Sequence, residues 1–183
     1  FNNKNITFLL IARLLKDKGI VEYIEAAKKI KSKIKNINFN LIGPKDNSNN
    51  QVDFEYIKNN HDEGIINYLG FQKNVKPFIA ESHVYVLPSY HEGLPRSVLE
   101  AMSMGRPIIT TQVPGSKETV INNKNGFLIP SKNVNILIEK MTWFIINNKE
   151  ILKMGKKSRN IVEERFSSQK INNKFIKLLS NDS

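Results

Sequence analysis

The chain has 183 residues, with 28 lysines and arginines against 17 aspartates and glutamates, and it contains no cysteine. That length fits one domain with its own core, and the missing thiols exclude disulfide staples and thiolate metal sites. A net charge of +11 admits anionic partners, but the lysines lie scattered among asparagines. Ordinary solvated faces are therefore the first reading and a peripheral membrane surface the second.

In chain order, residues 6–12 form a nearly continuous apolar run, the pattern of a buried parallel strand. Residues 19–33 place Ile20, Ile24, Ala27 and Ile30 at helical spacing. Residues 38–42 read as the next strand, stopped by Gly43-Pro44, and 45–51 as a polar loop. A helix over 52–61, a strand over 65–69 and a short helix over 75–82 follow, then a strand opened by His83. Beyond the segment 88–107 come a strand over 108–111, a brief helix over 116–121 that Ser116 caps, and a strand over 125–129. Helices over 134–146, 151–166 and 169–179 close the chain. Trp143 reads as core, and Ile161, Arg165, Ile171, Phe175 and Leu178 fall on the inward stripes. Six strands alternating with helices argue an open, doubly wound α/β sheet with helices on both faces.

No apolar run reaches the roughly eighteen residues of a membrane span, and no signal-peptide pattern leads the chain. No aromatic–basic pattern of a nucleic-acid module is visible, so nucleic acid is not an expected partner. A chain opening on Phe1 rather than Met reads as a piece of a longer protein.

Residues 88–107, PSYHEGLPRSVLEAMSMGRP, join two strands through a loop and one helix. Pro95 suits the helix's first turn, Gly105 its end, and Pro107 stops continuation. A helix start facing the carboxyl end of a parallel strand presents free N–H groups to an anion, and Gly93 lets backbone approach it closely. Glu100 lies about 7–8 Å along the helix from Pro95 at 1.5 Å per residue. There it is placed to accept from neighbouring sugar hydroxyls, with Glu92 reaching a second polar group. Taken alone, the two acids read first as solvated surface carboxylates.

Glu92 and Glu100, separated by seven residues with Gly93, Pro95, Ala101, Gly105 and Pro107 in register, resemble the signature of retaining GT-B glycosyltransferases, group 1 or family 4. Residues 12–19, ARLLKDKG, resemble the family's basic segment after the first strand. The glycines that commonly precede that arginine are replaced by Ile11-Ala12, which also removes an ordinary dinucleotide-binding reading. Gly115 with Glu118 resembles the family's glycine turn and acid.

The resemblance implies a Rossmann-like, three-layer α/β domain over 1–183, the nucleotide-sugar-binding C-terminal half of a two-domain enzyme, with the N-terminal acceptor domain absent. It implies that Arg13 and Lys18 neutralise the donor diphosphate and that Glu92 meets the transferred sugar. The Gly93-Leu94-Pro95 backbone supports sugar and phosphate, and Glu100 holds the ribose. Gly43, Phe71 and Gln72 fall near the base. UDP is favoured over GDP, and no metal or other cofactor is implied. The product would be a bacterial surface polysaccharide or lipid-linked glycan, made in the cytoplasm or at the inner face of its membrane. The acceptor would enter through the missing domain, so the fragment alone should turn over little. A non-catalytic interaction domain and a sugar-nucleotide epimerase or phosphorylase of the same fold are the alternatives.

Overall fold

The computed structural model describes residues 5–166. Six strands form one all-parallel sheet: β1 (Ile6–Ile11), β2 (Ile37–Ile42), β3 (Asn67–Tyr68), β4 (Val84–Leu87), β5 (Ile108–Thr111) and β6 (Gly126–Ile129). Their spatial order is β3-β2-β1-β4-β5-β6, so the winding reverses between β1 and β4. In such sheets ligands bind beyond the carboxyl ends of the strands at that reversal.

The alternation of side chains along β1 builds the three layers. Phe8 and Leu10 enter a core shared with α1 (Ile20–Lys31), α2 (Phe54–Asp62) and α5 (Val134–Ile146). Leu9 enters a second core with Ile79 of α3 (Lys76–Glu81), and with Val98, Ala101 and Met102 of α4 (Arg96–Ser103). Helix α6 (Lys149–Arg165) serves both: Ile151 and Met154 join the first core, Ile161 and Val162 the second. Trp143 packs edge-on against Phe127 and Phe144, as expected of core.

Four expectations need correction. The strand expected over 65–69 is only Asn67–Tyr68. Gly64, at φ +70°, ends α2, and the Asn60 carbonyl accepts from both Ile65 and Ile66, holding those residues in the helix exit. The helix expected over 116–121 is a single 3-10 turn, Lys117–Thr119, in which Ser116 makes no side-chain cap. Asn125 stays out of β6 because its side chain accepts from the Ile121 N–H at 2.7 Å and donates to the Thr119 carbonyl at 3.1 Å. Arg165, the last residue of α6, is exposed, and it is the following residue, Phe166, that packs against the second core. The helix expected over 169–179 lies outside the described residues.

Candidate functional site

The segments after β1, β2, β3 and β4 meet at the carboxyl edge. Backbone bonds continue the sheet into these loops: Ala12 N–H to the Ile42 carbonyl, Gly43 N–H to Gly70, and Leu14 N–H to Pro44. Gly43 is required by this approach, since a Cβ there would stand 1.7 Å from the Ala12 carbonyl oxygen. That explanation is independent of any ligand.

The loops border a hollow of about 290 Å³, lined by Arg13, Gly43, Phe71, Gln72, Arg96 and Glu100 from four separate stretches of chain. Its floor is apolar, from Ile11, Ile42 and Val75. Phe71 is 69% exposed, a rim residue rather than a piece of core. Gln72 is turned inward by donating its amide to the Leu69 carbonyl at 2.6 Å. Arg13 donates to Asp46 at 3.2 Å, and Asp46 also accepts from the Ser48 N–H at 2.9 Å. Hydrogen bonds from Ser48, with the Arg13 charge beside them, hold the Asp46 carboxyl below the ordinary aspartate value.

Lys18 and Glu92 form a second group beside the hollow. The Lys18 ammonium meets Glu92 Oε1 at 2.7 Å, and Ser89 Oγ donates to the same oxygen at 2.6 Å. Both side chains are largely buried, at 18% and 12% exposure. The loop carrying Glu92 is fastened from several directions. Tyr90 N–H donates to the Asp17 carbonyl at 2.7 Å, and the Thr111 hydroxyl to the Ser89 carbonyl at 2.6 Å. The Tyr90 hydroxyl donates to Glu22. Gly115, at φ +84°, packs so closely that a Cβ would come within 1.7 Å of the Gly93 carbonyl oxygen. Gly93 itself faces open space, with no atom within 4 Å of where its Cβ would be. Leu94 is also exposed.

Helix α4 begins at Arg96, so Pro95 is its N-cap rather than a first-turn residue, and no side chain caps it. The first N–H groups of α4 are thus left for water or a ligand. Glu100 is about one turn further on, near Arg96 Nε at 3.5 Å.

Tyr85 ties the two groups together. It is fully buried on β4, and its hydroxyl donates to the Ile11 carbonyl at 3.1 Å. Burial pushes that hydroxyl well above the ordinary tyrosine value, and the charges of both Glu92 and Glu100 push it further. Both acids therefore lie near enough to act on one buried phenol. The four residues Arg13, Lys18, Glu92 and Glu100 share one rim, as an Arg13–Glu100 hollow and an adjoining Lys18–Glu92 pair.

Sequence reasoning missed Asp46, Ser89, Tyr85 and Ser97, which lines the hollow. Only Asp46 carried a signal: an aspartate two residues before a serine in a polar loop favours a local side-chain turn. Among the described residues, no three of His, Cys, Asp and Glu gather closely enough to hold a metal ion. No described helix is long and apolar enough to cross a membrane.

Comparison with known proteins gives a consistent result. The family described as glycosyl transferases group 1 matches residues 1–161. The N,N'-diacetylbacillosaminyl-diphospho-undecaprenol alpha-1,3-N-acetylgalactosaminyltransferase of Campylobacter jejuni is 34% identical over 140 residues, covering 76% of this chain and 35% of that protein. A variant of S. aureus TarM, solved with fondaparinux, alpha-GlcNAc-glycerol and UDP, superposes with a TM-score of 0.84 at 24% identity, over 96% of this chain and 35% of its own. The C-terminal domain of the group 1 protein LpcC from Francisella tularensis superposes with a TM-score of 0.78 at 22% identity, over 89% of this chain and 87% of its own. The chain spans about a third of the length of the curated relatives it matches.

Proposed function

The chain belongs to the group 1 glycosyl transferases, and from that premise we propose that it is the donor-binding, C-terminal half of a retaining GT-B enzyme. It takes a hexose or N-acetylhexosamine from a nucleotide sugar, with UDP favoured over GDP, to a glycan or lipid-linked acceptor of a bacterial surface polysaccharide. The observation that carries this reading is the hollow at the β1/β4 reversal, with Arg13 and Glu100 in it and the Lys18–Glu92 pair beside it. Its UDP preference draws on the TarM complex, and its lipid-linked acceptor on the diphospho-undecaprenol substrate named for the Campylobacter relative. Its placement as a C-terminal half draws on the LpcC domain, which it nearly spans.

In this reading each residue has a separate task. Phe71 and Gln72 flank the base with Gly43, and Glu100 accepts from the ribose hydroxyls. Arg13 and Lys18 meet the diphosphate, together with the uncapped start of α4. Glu92 approaches the transferred sugar across the Gly93-Leu94-Pro95 backbone. Negative charge grows on the diphosphate as the glycosidic bond breaks, and cations already fixed in place stabilise it without reorganising. Arg13 holds Asp46 and Lys18 holds Glu92, so the donor must exchange Asp46 for phosphate at Arg13 and share Lys18 with Glu92. Front-side attack assisted by the donor phosphate gives retention.

Calorimetric titration of UDP, GDP and ADP into the chain tests the reading. UDP should bind most tightly, and Arg13→Ala and Glu100→Ala should each weaken it about tenfold or more, the loss of one charge-assisted hydrogen bond. Equal UDP affinity in all three proteins would refute the assignment. The isolated chain should transfer sugar far more slowly than an intact two-domain enzyme.

A further inference from the structure

Four large apolar side chains are exposed among the described residues: Phe71, Leu94, Ile146 and Leu152. The first two border the candidate site. The other two lie at the opposite pole. Helix α5 runs back from the carboxyl end of β6 and finishes at Ile146, which is 74% exposed. Helix α6 then crosses beneath the amino edge of the sheet. Its Gly155 packs on Gly105 and Pro107, just before β5, and its Ser158 hydroxyl donates to the Asn125 carbonyl, just before β6.

The outward face of α6 therefore points away from the sheet, opposite the hollow. Lys149, Leu152, Lys153 and Lys156 fall on it at helical spacing, and all four are exposed. From 149 to 160 there are five basic residues (Lys149, Lys153, Lys156, Lys157, Arg159) and one acidic, Glu150, which pairs with Lys153 at 3.1 Å. Helix α1 packs beside α5, and its exit adds exposed Lys29, Lys33 and Lys35 to the same pole.

We propose that this pole seats on an anionic lipid surface, with Ile146 and Leu152 entering the interface and the surrounding lysines meeting the headgroups. Apolar anchors among lysines are the composition that binds such surfaces. A second copy of the chain would set lysine against lysine, and a purely polar polyanion would leave the two apolar residues unused. The contact owes nothing to the nucleotide-sugar reading: it uses the far end of the domain. It would hold the hollow about 20 Å from the lipid, the height of a six-residue strand at about 3.3 Å per residue.

Co-sedimentation of the 183-residue chain with phosphatidylcholine vesicles, with and without phosphatidylglycerol, tests this. Binding should require phosphatidylglycerol. Replacing Lys149, Lys153 and Lys156 together by Gln should lower the partition constant about 100-fold, at about fivefold per lysine. Replacing Lys73, Lys76 and Lys117 by Gln removes equal charge at the other pole and should change it less than about twofold. Ile146→Ser with Leu152→Ser should lower it about fivefold or more. Circular dichroism should show each variant folded. Equal losses from the two lysine triples would mean net charge alone and overturn the proposal, as would an Ile146/Leu152 variant that binds like wild type. Dimerisation abolished by Leu152→Ser, with vesicle binding unchanged, would assign the patch to a second copy and overturn it as well.

Discussion

Lys18 and Arg13 leave the same loop, five residues apart, and end in opposite surroundings. Lys18 is tucked against Glu92 under a loop pinned by Asp17, Thr111 and Gly115, whereas Arg13 is 64% exposed and reaches Asp46 across an open hollow. The neighbouring segments explain the contrast. Loop 88–94 lies over the sheet's middle strands, where β5 and the start of α1 both supply partners. Arg13 faces β2 and the short edge strand β3, beyond which little chain remains to cover it. One side of the rim is thus preset and the other is left open.

The sharpest way to break this contrast is Gly115→Ala. The added Cβ cannot avoid the Gly93 carbonyl, and the residue would keep a left-handed φ that alanine disfavours. We expect a loss of about 3 kcal/mol, roughly 6–12 °C in melting temperature for a domain of this size, and loss of nucleotide binding in what remains folded. A melting temperature within a degree of wild type would show that the loop is not braced there.

A smaller and more discriminating effect comes from the two bases compared. Lys18→Ala leaves a mostly buried carboxylate with Ser89 as its remaining partner and should cost about 1–3 kcal/mol in denaturant unfolding. Arg13→Ala should leave the melting temperature within about 1 °C, because exposed ion pairs add little. Equal destabilisation by the two would erase the distinction between preset and open sides.

The smallest effect concerns the strand that carries the preset loop. His83 accepts the Thr7 N–H at Nδ1, at 3.1 Å, just before β4. Burial, with the Arg106 charge beside it, holds its pKa below the ordinary histidine value. The unfolded chain therefore takes up this proton first as pH falls through about 6.5. Stability should be unaffected above that pH and decline below it, until the folded state's own lower pKa is passed. Melting curves between pH 7.5 and 5.5 check this: His83→Asn should flatten the decline. An unchanged slope would place its cause elsewhere.

Much of this was legible in the chain itself. The strand runs at β1, β2, β4 and β5 and the end of the helix carrying Glu100 followed from periodicity and turn chemistry, and Arg13, Gly43, Phe71, Gln72 and Glu100 of the hollow from the family resemblance. What stayed hidden had two sources. Near in sequence, the Asn60 carbonyl and Gly64 draw Ile65 and Ile66 into a helix exit and shorten β3, although the apolar run there reads as strand. The rest was set by contacts distant in sequence. Lys18 and Glu92 each appeared as ligands for a donor, but their bond to one another, across 74 positions, emerges only once the loops meet. The scattered lysines gave no block in sequence, yet folding gathers those of α1 and α6 at one pole.

The most direct test of the central claim is amide chemical-shift mapping of the chain titrated with UDP. The account predicts the largest shifts at Gly43, Phe71, Gln72, Gly93 and Glu100, with the amides of 149–160 unmoved. Shifts confined to other surfaces, or none at saturating UDP, would contradict it.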